Sequence, residues 1–167
     1  MILIIPFVAL MLMDLGNWAK WSALAIFVIA SLTDMLDGQI ARKRNLVTNF
    51  GKFMDPLADK LLVCSALVCL VSMGKLPTVV CIIIIAREFT ISGFRLVASD
   101  NGIVIAAGIW GKLKTVSQMI MIIVLIADFG GVFDVIGTVL IVVSTALTII
   151  SLIDYIWNNR QVLNMQS

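Results

Sequence analysis

Apolar residues fall in long runs separated by short polar breaks, and most runs approach the length of a bilayer-spanning helix, about 20 residues. The runs predict helices over 1–14, 20–41, 54–73, 77–97, 106–127 and 133–157. The breaks carry turn chemistry: Gly16-Asn17, the segment from Lys43 to Asn49, Gly74 with Pro77, Asp100-Asn101-Gly102, and Gly130-Gly131. The pattern therefore reads as an all-α, polytopic membrane bundle of six transmembrane helices in a single domain, 1–167. The first run ends near Asp14, short for a span, so the chain is expected to begin partway into its first membrane helix. Internal repeats, low-complexity tracts and long linkers are not evident.

Composition sharpens this picture. The chain is 61% hydrophobic and 13% charged, with mean hydropathy +1.11, against about 45–50% apolar content in a soluble domain. The composition argues against a water-soluble fold. The net charge of +2 gives no footprint for nucleic acid, and the absence of His means that any metal site is built from carboxylates or thiols. Cys64, Cys69 and Cys81 lack paired CxxC spacing and lie in apolar runs, where they read as packing residues. No basic segment precedes the first apolar run, as a secretory signal would require. Placing the loop after the second span in the cytoplasm puts Arg42, Lys43, Arg44, Lys52, Lys60, Arg87, Arg95, Lys112, Lys114 and Arg160 on or near that side, and only Lys20 and Lys75 opposite. This asymmetry predicts both termini in the cytoplasm, with Trp18, Trp21 and Trp157 as interfacial anchors.

Charges inside spans cost about 2.5–3.5 kcal/mol each even on the lenient insertion scale, so each needs a reason. Asp34 and Asp37 lie in the last turns of the second span, and Asp55 and Asp59 open the third. Residues three or four apart share a helix face, so each pair presents two carboxylates in one direction, and antiparallel helices bring the pairs together. Four clustered carboxylates repel unless cations neutralise them. Hard, oxygen-seeking divalent ions, Mg²⁺ or Mn²⁺, fit. Gly38, Ala41 and Gly51 keep the neighbouring faces open, and Arg42 shares the face of Gly38. One Asp-x-x-Asp at a helix end is ordinarily a solvated terminus or cap; two pairs at membrane depth, interleaved with small residues and an arginine, are not.

The stretch from Asp34 to Asp59 resembles the signature of the CDP-alcohol phosphatidyltransferase family, D-x-x-D-G-x-x-A-R-x8-G-x3-D-x3-D, with every specified position matched: Asp34, Asp37, Gly38, Ala41, Arg42, Gly51, Asp55 and Asp59. The resemblance implies displacement of CMP from CDP-diacylglycerol by an alcohol. It implies metal ligation by Asp34, Asp37, Asp55 and Asp59, with two ions and Asp59 also acting as general base. A two-metal site suits a pyrophosphate bond, and a carboxylate at its edge suits an alcohol proton. Asp34, Gly38, Ala41, Arg42 and Gly51 would contact the nucleotide, while the acyl chains leave sideways into the bilayer. The resemblance further implies a homodimer and an N-terminal amphipathic segment, which the chain is expected to lack.

The acceptor is read from residues outside the signature. Arg87, beside Glu88, and Arg95 lie in the fourth span, and Lys112 and Lys114 open the fifth. Four such cations suit the phosphate of a phosphorylated alcohol, although singly each also reads as a snorkelling anchor. The strings Ile84 to Arg95 and Gly111 to Thr115 are similar to the bacterial branch of the family that uses glycerol-3-phosphate; serine or inositol phosphate is the alternative acceptor. From other classes, a divalent-cation transporter accounts for the acids but not for Gly38, Ala41 and Arg42. A purely structural bundle is weakened because small-xxx-small pairs are few beyond Ala107 with Gly111.

Overall fold

In the computed structural model the described backbone covers residues 4–13, 16–44, 49–100, 105 and 108–160, and the side chains at 17, 34–44, 49–59, 99 and 100 lie outside the description. The elements are α1 (Ile4–Leu12), α2 (Asn17–Arg44), α3 (Asn49–Ser72), α4 (Thr78–Asp100), α5 (Ile109–Ala127) and α6 (Val132–Asn158). Among the described residues there is no strand, and the all-α expectation holds. The apolar runs find each helix but misplace the start of α3, which begins at Asn49 instead of 54. Apolarity marks where a helix enters hydrocarbon, and the polar turn before that point is helical all the same.

The end of α3 shows how local chemistry stops a helix. Gly74 takes φ +70°, a left-handed conformation that costs glycine nothing. Its N–H donates to Val71 O at 3.0 Å and the Lys75 N–H donates to Leu70 O at 2.9 Å, the paired closure that satisfies the last carbonyls of a helix. Pro77, just before α4, has no N–H to continue the earlier helix.

The chain forms two compact units, 1–75 with 125–128, and 76–124 with 129–167. In the first, α1 packs on α2 and α3, and α2 touches α3. Ala19, Ala23, Phe27 and Ala30 form one buried stripe of α2 at helical spacing, and Phe7 of α1 meets Phe27 with ring centroids 5.9 Å apart. Leu62, Ala66, Leu67, Cys69 and Leu70 of α3 complete this core.

In the second unit α4 packs on α6. The buried face of α6 is Gly137, Ser144, Thr148, Ser151 and Tyr155, while its outward positions, among them Val135, Val139, Val142, Ile149 and Ile153, are exposed. Small, weakly polar residues inside and aliphatic ones outside reverse the arrangement of a soluble helix. An exposed aliphatic face of this extent suits lipid. Helices α5 (19 residues) and α6 (27 residues) are long and apolar enough to cross a membrane, and shorter apolar stretches lie at Trp18–Thr33 in α2 and Lys60–Ser72 in α3.

Candidate active site

Two groups of charged residues stand on this scaffold. The acidic group lies on α2 and α3: Asp34, Asp37, Gly38, Ala41 and Arg42 in the last turns of α2, and Gly51, Asp55 and Asp59 in the first turns of α3. Both helices are continuous through these positions and are in contact, so the three- and four-residue spacings are helical spacings. The side chains of these eight residues lie outside the described residues, and among the described ones no group of three or more metal-ligating side chains gathers. Their donor set is nevertheless coherent: carboxylate oxygens only, on two neighbouring helices, with no competing thiol or imidazole.

The cationic group lies in the second unit. Arg87 of α4 is 8% exposed and Lys114 of α5 is 2% exposed. Charges this deep are stable only when paired and hydrogen-bonded. Glu88 supplies the pairing: its Oε1 accepts from Arg87 Nη1 at 3.2 Å and also from Lys114 Nζ. A Cβ on Gly111 would make an ordinary contact with Arg87 Nη2 at 3.7 Å, so the guanidinium lies close beside this glycine. The Arg87 Nε is buried without a hydrogen-bond partner among the described residues, as are Gln118 Oε1, Ser144 Oγ and Tyr155 Oη.

Of the four cations anticipated for the acceptor, the structure gathers Arg87 and Lys114. Arg95 is exposed, with its guanidinium 5.7 Å from the centroid of the Tyr155 ring, which Phe94 meets edge-on at 5.8 Å. Lys112 is exposed. The sequence places Glu88 beside Arg87 but does not reveal its bond to Lys114, 26 residues away, which requires the register of α4 against α5. Gln118, one turn beyond Lys114 in an otherwise apolar run, is buried as well.

A third charged cluster, in the first unit, is structural. Lys75 Nζ pairs with Asp128 Oδ2 at 2.7 Å and donates to Leu125 O at 3.4 Å, and Lys20 Nζ donates to Asp128 O at 3.1 Å. The Lys75 hydrogen bond holds the Asp128 carboxyl below its usual range; partial burial opposes this, and the charges of Lys75 and Lys20 reinforce it. These contacts tie the residues after α5 to the ends of α2 and α3.

Acids in signature order on one helix pair, and buried cations shared between two further helices of an apolar chain, are the equipment of a helical transferase acting on phosphate-bearing substrates. The chain belongs to the CDP-alcohol phosphatidyltransferase family, whose model matches residues 1–150. It is similar to CDP-diacylglycerol--glycerol-3-phosphate 3-phosphatidyltransferase of Bacillus subtilis, 56% identical over 97 residues, which cover 58% of this chain and 50% of that protein. The protein of the same name from Rickettsia typhi is 37% identical over 154 residues, covering 90% of this chain and 86% of that one. The probable phosphatidylglycerophosphate synthase of Mycobacterium tuberculosis is 38% identical over 139 residues, 83% of this chain and 66% of that protein.

Proposed function

We propose that this chain transfers the phosphatidyl group of CDP-diacylglycerol to glycerol-3-phosphate, releasing CMP and forming phosphatidylglycerophosphate, a step of phospholipid biosynthesis. The observation that carries the choice of acceptor is the buried Arg87–Lys114 pair, a site for a phosphate monoester in a chain whose relatives bear that activity in their names.

In this reading Asp59 accepts the proton of the acceptor hydroxyl as its oxygen bonds to the phosphorus that bears diacylglycerol, and the bond from that phosphorus to the CMP oxygen breaks. Asp34, Asp37, Asp55 and Asp59 hold divalent metal, Mg²⁺ or Mn²⁺ in two ions, which supplies charge neutralisation at the pyrophosphate. Asp34, Gly38, Ala41, Arg42 and Gly51 form the nucleotide face: the small residues admit CDP close to the helix backbone and Arg42 meets its phosphate. Arg87 and Lys114 bind the acceptor phosphate, and exposed Arg95 and Lys112 add attractive charge at its approach. The six helices form one multi-pass domain in a bacterial cell membrane with the site facing the cytoplasm, as the distribution of Lys and Arg supports, and the protein acts as a homodimer.

The test is CMP release from CDP-diacylglycerol by purified protein with Mg²⁺ or Mn²⁺, comparing glycerol-3-phosphate, serine and inositol phosphate. Release is expected to require metal and glycerol-3-phosphate, and Asp59→Asn is expected to lower the rate at least about 100-fold. Release with another alcohol alone replaces the acceptor. Metal-independent release rejects the metal site, and no release with any acceptor rejects the mechanism in favour of an ion pathway.

A further inference from the structure

We propose that Glu88 is the positioning residue of the acceptor site, aiming the free edge of Arg87 and the ammonium of Lys114 at one phosphate monoester. The inference rests on the acceptor site proposed above and goes beyond it by assigning a role to the carboxylate.

Neighbouring residues on a helix do not face each other, so the Arg87–Glu88 bond at 3.2 Å requires the guanidinium to curl back toward the following residue. It does so onto the same oxygen that receives Lys114 from α5. One carboxylate thereby holds two cations from different helices that would otherwise repel. The bond engages Nη1 only. A guanidinium binds an oxyanion most strongly through two parallel N–H groups, and the edge opposite Nη1 carries Nε and Nη2. Nε is buried and without a partner among the described residues, and Nη2 lies beside Gly111, which presents no side chain to it. The Arg87 side chain is 9% exposed, so its orphaned donor sits where an unmade hydrogen bond is costly. With Nη1 held on Glu88, the Nε–Nη2 edge is the fork left for phosphate.

Steady-state CMP release by the full chain in detergent micelles, with each substrate varied separately, tests this. Glu88→Gln is expected to raise the KM for glycerol-3-phosphate about tenfold, the weight of a lost charge-assisted hydrogen bond, while the KM for CDP-diacylglycerol stays within about twofold. Glu88→Asp, which keeps the charge on a shorter stem, is expected to fall between. Lys114→Met raises the same KM, and joining it to Glu88→Gln adds little because both act through one contact. If Lys114→Met raises the acceptor KM and Glu88→Gln does not, Glu88 is a mere ion partner and the proposal fails with the acceptor site intact. If neither Lys114→Met nor Arg87→Lys changes it, the acceptor site itself is wrong and the proposal falls with it. Equal rises in both KM values for Glu88→Gln and Glu88→Asp, with lowered unfolding temperatures, also overturn it.

Discussion

Asp128 combines two unusual features in one residue. Its backbone sits at φ +43°, left-handed territory that Asp and Asn tolerate better than other side chains, and its carboxylate receives Lys75. Because the folded-state pKa is depressed, the ion pair stabilises the fold above the unfolded pKa and is lost as pH falls through the folded one. The carboxylate is 46% exposed, so solvent screening limits its worth to about 1 kcal/mol at most. Asp128→Asn keeps the backbone preference and removes the charge. It is expected to unfold slightly earlier than the parent at pH 7, by a gap that closes as pH falls through the depressed carboxyl pKa, measured by thermal unfolding in detergent; a gap that does not change with pH would mean that the charge is irrelevant. At this scale the sequence was only partly legible. The four aspartates stood out because charge is expensive in an apolar run, and the adjacency of Arg87 and Glu88 is written in the chain. The Lys75–Asp128 and Glu88–Lys114 bonds join residues far apart in sequence, and only packing reveals them.

Helices were legible as lengths, since an apolar run of bilayer size has few other folded forms. Their inner faces were not. Ala107 with Gly111 stood out as a small pair, and Ala107 lies outside the described residues. The small face that the structure shows is Gly137, Ser144, Thr148 and Ser151 on α6. Hydroxyl residues in a run of Val and Ile read as polar interruptions, yet Thr148 donates to Ser144 O at 2.7 Å and Ser151 to Thr148 O at 3.0 Å within their own helix. Satisfied in this way, they serve as small packing surfaces. Ser144 is fully buried and its Oγ has no partner among the described residues. Ser144→Ala is therefore expected to be close to neutral, whereas Ser144→Leu should cost about 1–3 kcal/mol by overpacking. Equilibrium unfolding in mixed micelles separates them, and equal stabilities would contradict close packing on this face.

For the molecule as a whole, the helical class follows from composition and the family from the spacing of eight residues, because both depend on chain-local patterns. Acceptor chemistry was harder to read, since it depends on how α4, α5 and α6 are packed. The length of α6 carries one more consequence. At about 1.5 Å per residue its 27 residues extend about 40 Å, beyond a hydrocarbon core of about 30 Å. On the orientation proposed above, the polar end bearing Asp154 and Trp157, whose ring lies 5.7 Å from the Arg160 guanidinium, emerges among the headgroups, and Arg95 on Tyr155 emerges with it. The acceptor is then drawn from the interfacial layer instead of bulk water. A surface potential of about −30 mV thins a dianion there about tenfold. Because the acceptor's phosphate monoester stays on the lipid formed, while the pyrophosphate lipid consumed was already anionic, each turnover adds a little negative charge to the surface against its own supply. Vesicles enriched in anionic lipid should therefore show a higher apparent KM for glycerol-3-phosphate, falling back as salt is added, and a KM indifferent to both would place the acceptor's entrance away from the headgroup layer. Such a transferase slows as its membrane acquires charge, with no regulatory site required.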